Sequence, residues 1–174
     1  MRNVALVALV ALASATLACG GVDEGSVDDV TEAEGELRTS GVKSIEVYRS
    51  TGFVPPPPRG QCRPSGHWEY DFTSQQLTGD ACLNSVPVPV NNTLSDADHT
   101  RVRVALSKVR ATKRPAACPT DVPSNSLTVK RAQSEARYVE QRAACGGGST
   151  PVKGEGLRAL VELMEELSEP PPAR

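Results

Sequence analysis

The sequence predicts one small α+β domain: an antiparallel sheet of four to five strands with two packed helices, stabilised by disulfides. Three observations carry that reading. Residues 67–73 alternate, with Trp68, Tyr70 and Phe72 on one face and His67, Glu69, Asp71 and Thr73 on the other, the period of a half-buried strand. Residues 156–168 repeat Leu157, Leu160, Val161, Met164 and Leu167 at steps of three and four, the stripe of an amphipathic helix. Cys62, Cys82, Cys118 and Cys145 bracket two segments that read as hairpins.

The elements follow in chain order. Residues 42–49 alternate loosely, with Val42, Ile45 and Val47 apolar, and form a first strand. Pro55 to Pro58 allow no regular structure and make an extended connector; the PxxP spacing also suits an SH3-like ligand, but this segment lies between structured parts. The aromatic strand turns at Ser74-Gln75 and returns over residues 76–83, ending at Cys82. Residues 84–93, with Pro87, Pro89 and Asn91-Asn92, read as a loop.

Ser95 is a good N-cap, with Asp96 and Asp98 in the first turn where the helix dipole favours acids. The helix should run to about residue 111, burying Val102, Leu106 and Val109, with Pro115 ending it. Arg101, Arg103, Lys108, Arg110, Lys113 and Arg114 give this region a basic face, either a solvated surface or a site for an anionic lipid or acidic partner. Residues 127–131 and 137–141 form the second hairpin around Gln133-Ser134-Glu135. The last helix ends before Pro170-Pro171-Pro172 and packs on the sheet; a dimer seam is its other use.

The N-terminus has a different plan. Arg2 precedes an apolar run of about fifteen residues, short of the twenty or so that cross a bilayer, which is the layout of a signal peptide over residues 1–18. Thr16-Leu17-Ala18-Cys19-Gly20 resembles the lipobox of bacterial lipoproteins, which implies that Cys19 is acylated and becomes the mature N-terminus. Cleavage after Ala13-Ser14-Ala15 would instead release a secreted chain. Gly20, in place of the Asp that retains such lipoproteins in the inner membrane, implies the outer membrane or cell envelope. Seven acids and no base between Gly20 and Leu37 then read as a disordered tether over residues 19–40, ahead of a domain at 41–168 and a Pro-rich tail at 169–174.

Setting Cys19 aside leaves four cysteines for an oxidising compartment. The hairpins favour pairing Cys62 with Cys82 and Cys118 with Cys145, each closure contributing about 3 kcal/mol in the chain-entropy picture. Zinc is the competing use, but no Cys-x2-Cys knuckle occurs, so no metal or other cofactor is expected.

The net charge of -2 divides into an acidic tether and a mildly basic remainder, which gives no reason to expect nucleic acid as a partner. Neither histidine has a catalytic setting: His67 starts the aromatic strand, and His99 lies near Asp96 and Asp98 without a nucleophile motif. No His-Glu-x-x-His, calcium loop or phosphate loop is present, and Gly146-Gly147-Gly148 lacks the spacing of one. No enzyme is expected. Candidate binding residues are Trp68, Tyr70 and His67, should the aromatics form an exposed glycan platform; with only 3% aromatic residues, the core has the stronger claim on them.

Residues 45–53, with Arg49, Ser50, Gly52 and Phe53, resemble the opening of emfourin-like proteins, small bacterial inhibitors of thermolysin-type metalloproteases. Thr51 departs from the family's pattern, as do the cysteines and Pro55 to Pro58. The order of strands, a helix after Leu94-Ser95, a hairpin and a Leu-rich final helix is also similar. The resemblance implies the fold and, as an alternative function, protease inhibition. The function the residues favour is a non-catalytic envelope lipoprotein that holds to the membrane by its anchor and binds another macromolecule, a protein or a protease, with the oligomeric state left open.

Overall fold

The computed structural model describes residues 35–52, 55–114, 123–144 and 148–169, all within one compact unit, Thr31–Arg174. The signal, Cys19, Phe53, Cys118, Cys145, Pro115 and the Pro-rich tail from Pro170 lie outside the described residues. The domain is α+β, with two helices on one face of a sheet. The sheet is larger than expected: seven strands, mixed rather than wholly antiparallel.

The strands are β1 (Val42–Ser50), β2 (Gly66–Asp71), β3 (Gln76–Leu83), β4 (Val86–Thr93), β5 (Ser124–Arg131), β6 (Glu135–Glu140) and β7 (Thr150–Val152), in the spatial order β4-β3-β2-β1-β5-β6-β7. All neighbours are antiparallel except β6 and β7. The loose alternation of β1 has a local cause. Its register against β5 shifts between Val42 and Ser44, a bulge that returns Val42 to the core side although it is three residues from Ile45.

β4 corrects the expected loop. Pro87 and Pro89 are two residues apart, so their missing donors fall on the same side of the strand, and an edge strand has one side that needs none. The same prolines blunt that edge against pairing with another chain. The opposite edge is covered from within: Thr112 N donates to Pro151 O at 2.9 Å and Lys153 N to Arg110 O at 2.9 Å.

The helices are α1 (Asp96–Ser107) and α2 (Gly154–Ser168). Asp98 N donates to Ser95 Oγ, which donates in turn to the Asp98 carboxylate, so the expected N-cap is present. α1 stops four residues before the expected end, because the chain beyond it is taken up by extended pairing at Arg110 and Ala111. Gly156 sits against the Lys108 carbonyl, where a Cβ would not fit, and this lets the first turn of α2 approach the end of α1.

That extended stretch also corrects the extent of the acidic tether. Leu37 N donates to Val109 O at 3.1 Å, the Leu37 side chain is buried, and Glu36 pairs with Arg110 at 2.6 Å. Residues 35–37 therefore belong to the domain, because Leu37 supplies an apolar side chain that the acids before it lack.

The core lies between the sheet and the helices. Ile45, Val47, Trp68, Tyr70, Leu127 and Val129 face Val102, Leu106, Leu157, Leu160, Val161 and Met164, all at most 2% exposed. At about 25 cal/mol per Å² of apolar area, sheet-on-helix burial is the main source of stability. The Cys62–Cys82 disulfide is present, with Cα atoms 5.7 Å apart, and it ties the connector before β2 to the end of β3.

Candidate binding face

Strand alternation sorts the sequence-predicted residues onto opposite faces. Trp68 and Tyr70 point to the helices and are 1% and 0% exposed. Two buried rings offer no stacking platform, so these two candidates are corrected to core residues. Gly66 leaves the space that the Trp68 indole fills. Trp68 Nε1 donates to Ser168 Oγ at 2.8 Å, and Ser168 donates onward to the Met164 carbonyl, so the indole is fixed to the last turn of α2. Asn92 Nδ2 reaches the Leu167 carbonyl of the same turn at 2.8 Å.

His99 does not pair with Asp96 or Asp98. Those acids are engaged by Gln75 and by Ser95 and Arg101. His99 Nδ1 instead meets Tyr70 Oη at 2.7 Å, and Nε2 accepts from Arg103 Nε at 2.7 Å. Phe72 completes this cluster, edge-on to Tyr70 and His99, with the Arg103 guanidinium 5.1 Å above its ring centre. Burial pushes the Tyr70 phenol up to about 12.

His67 lies on the other side of the sheet, away from the helices. Register brings it opposite Tyr48, and Tyr48 opposite Ser126. Glu46 stands opposite Glu69 on β2 and Thr128 on β5, while Thr128 stands opposite Arg137 on β6. Like charges facing across strands repel. Here Lys130 Nζ sits between them, 3.5 Å from Glu46 and 3.4 Å from Glu69, and His67 Nε2 is 2.7 Å from Glu46 Oε1.

The electrostatics follow from this packing. The hydrogen bond from His67, aided by Lys130, holds the Glu46 carboxyl below the usual range. Burial works against the charge on Lys130, yet Glu69 and Glu46 together raise its pKa. Beside this network is a shallow depression of about 570 Å³ lined by Glu46, Tyr48, His67, Ser126, Thr128, Glu135 and Arg137. Tyr48, 48% exposed, is the one aromatic ring among them apart from His67.

Sequence reasoning singled out His67 but missed Tyr48, Glu46 and Arg137. The signal for the first two is in β1, where Glu46 and Tyr48 alternate with buried Ile45 and Val47. Among the described residues no group of three or more His, Cys, Asp or Glu side chains is arranged to hold a metal ion, and no helix is long and apolar enough to cross a membrane. No protein-family model matches the chain, and no curated protein does.

Proposed function

We propose that the chain is a non-catalytic binding module of the bacterial envelope, held to the outer membrane through acylated Cys19, that engages another macromolecule with the open face of its sheet. One observation carries this reading. The helices and the large apolar side chains occupy one side, while the other carries an ordered set of paired charges around exposed Tyr48. Exposed Tyr, His and Arg in a polar surround is the chemistry of a protein-recognition patch. The disulfide between Cys62 and Cys82 suits the oxidising compartment that the anchor would require.

The test is binding of the native partner by the wild-type chain and by Tyr48→Ala and Arg137→Glu. Both residues are exposed, so the variants keep the fold and lose the interaction. Retained binding in both variants overturns the assignment of the face. Incorporation of labelled fatty acid at Cys19 tests the anchor separately; its absence makes this a secreted protein.

A second reading, an emfourin-like inhibitor of thermolysin-type proteases, is favoured by the turn after β1. Ser50 Oγ accepts from Gly52 N at 3.2 Å, and Gly52 has a φ of 73°, a conformation suited to Gly. Arg49, in the last residues of β1 before that turn, is committed to Glu165 at 2.7 Å. Proteolysis at the uninhibited rate across a protease panel removes this reading.

A further inference from the structure

The two helices present an outer face of opposite charges. α1 and α2 run antiparallel, since Arg101 bridges to Glu166 at 2.7 Å at one end and Lys108 meets Gly156 at the other. Between them lies a groove of about 470 Å³ whose floor is apolar, formed by Val104, Ala105, Ala159 and Leu163. Val104 is 48% exposed, so its side chain lies open to water on this face. The α1 rim carries Arg101 and Lys108; the α2 rim carries Glu162 and Glu166.

Arg101 and Glu166 satisfy each other. Lys108 and Glu162 do not: both are exposed, both line the groove, and neither has an ion-pair partner among the described residues. One rim thus has an uncommitted cation and the other an uncommitted anion, on either side of an apolar floor.

We infer that this face is a self-association surface whose occupant is a second copy of this chain. A two-fold axis parallel to the helices places α1 of each copy over α2 of the other, antiparallel. The basic rim then meets the acidic rim twice, the two Val104 side chains are withdrawn from water, and Lys108 of each copy comes within about a helical turn of Glu162 of the other. An acidic peptide would satisfy only α1, and an anionic surface would be repelled by α2; a second copy satisfies both rims. With 12 and 15 residues in the two helices, the face is about 20 Å on each side, the size of a transient interface rather than an obligate one. Association is therefore weak and reversible. The sheet edges do not compete for this role, since Pro87 and Pro89 blunt one and residues 110–112 cover the other.

The test is sedimentation equilibrium of the full chain carrying Cys19→Ser, which has no thiol to acylate, over a wide concentration range. The wild-type face gives a reversible monomer and dimer equilibrium. Lys108→Glu and Glu162→Lys each make two repulsive pairs in their own dimer and weaken it by more than about tenfold. Mixed in equal amounts, the two variants form a heterodimer in which both pairs attract again, so self-association returns. That rescue separates a charge-paired interface from a folding defect, and circular dichroism of each variant checks the fold directly. A wild-type chain that stays monomeric, single variants that dimerise like wild type, or a mixture that stays monomeric overturns the proposal. So does a monomeric chain that instead binds anionic vesicles in a Lys108-dependent way.

Discussion

Arg103 Nε donates to His99 Nε2 across 2.7 Å, and because a guanidinium has no acceptor, Nε2 is the accepting nitrogen and Nδ1 is the one that meets Tyr70 Oη. The two ring nitrogens are thereby both engaged, and the only histidine on α1 is a spacer between a buried phenol and a helix-surface arginine.

Replacing that spacer exposes its structural role. His99→Ala leaves the Tyr70 hydroxyl without this partner in a buried site, and the expected loss is about 1–3 kcal/mol. Urea unfolding of His99→Ala and of the double variant with Tyr70→Phe checks it: removing both polar groups recovers part of the loss, whereas full additivity would contradict the pairing.

The close contact between Gly66 and Trp68 predicts a strong effect from a single methyl group. Gly66→Ala drives a Cβ into the indole, and overpacking of this kind costs about 1–3 kcal/mol. Thermal unfolding of the variant, alongside Trp68→Phe, measures it. Trp68 fluorescence should be blue-shifted and shielded from aqueous quenchers; an emission typical of an exposed indole would contradict its placement under α2.

Acidification gives a third prediction. Glu46, Asp71 and Asp98 have pKa values depressed in the folded state, by His67, by Ser74 and by Ser95 respectively. The unfolded chain therefore binds protons first as pH falls. Their stabilisation is fully present above the ordinary carboxylate range and disappears as pH drops through the lower folded values. Denaturant midpoints should fall between neutral pH and pH about 3, with the slope reduced in Glu46→Gln. An unchanged slope would show that the pairing around Glu46 contributes nothing.

The Cys62–Cys82 bridge closes a loop of 20 residues, and its removal as Cys62→Ser with Cys82→Ser should cost about 3 kcal/mol in the chain-entropy picture. Peptide mapping without reductant checks the bridge itself, and the same map tests the pairing of Cys118 with Cys145 expected from the sequence.

Local patterns carried much of this fold, and long-range partners carried the rest. The aromatic strand, both hairpins and α2 were legible because alternation and helical steps are properties of contiguous residues. β4 was not, since Pro87, Pro89 and Asn91 have loop chemistry and only an edge position makes them tolerable in a strand. The parallel strand β7 has three residues, too few to show a period. Leu37 looked like the end of an acidic tether because its acceptor, Val109 O, is far along the chain. The open face was half visible. His67 was placed on the solvated side, but Tyr48 and Arg137 join it only because β1 lies between β2 and β5 and β6 follows β5, an order that no local pattern specifies.

The central claim, that the open sheet face is the working surface, is tested most directly by photocrosslinking in the native envelope from position 48. A photoreactive residue replacing Tyr48 should give a discrete adduct that disappears when Arg137→Glu is added, while the same group at Asn91, on the same side of the sheet but out on the edge strand β4, gives none. Absence of any adduct from position 48, or an adduct indifferent to Arg137→Glu, would contradict the account.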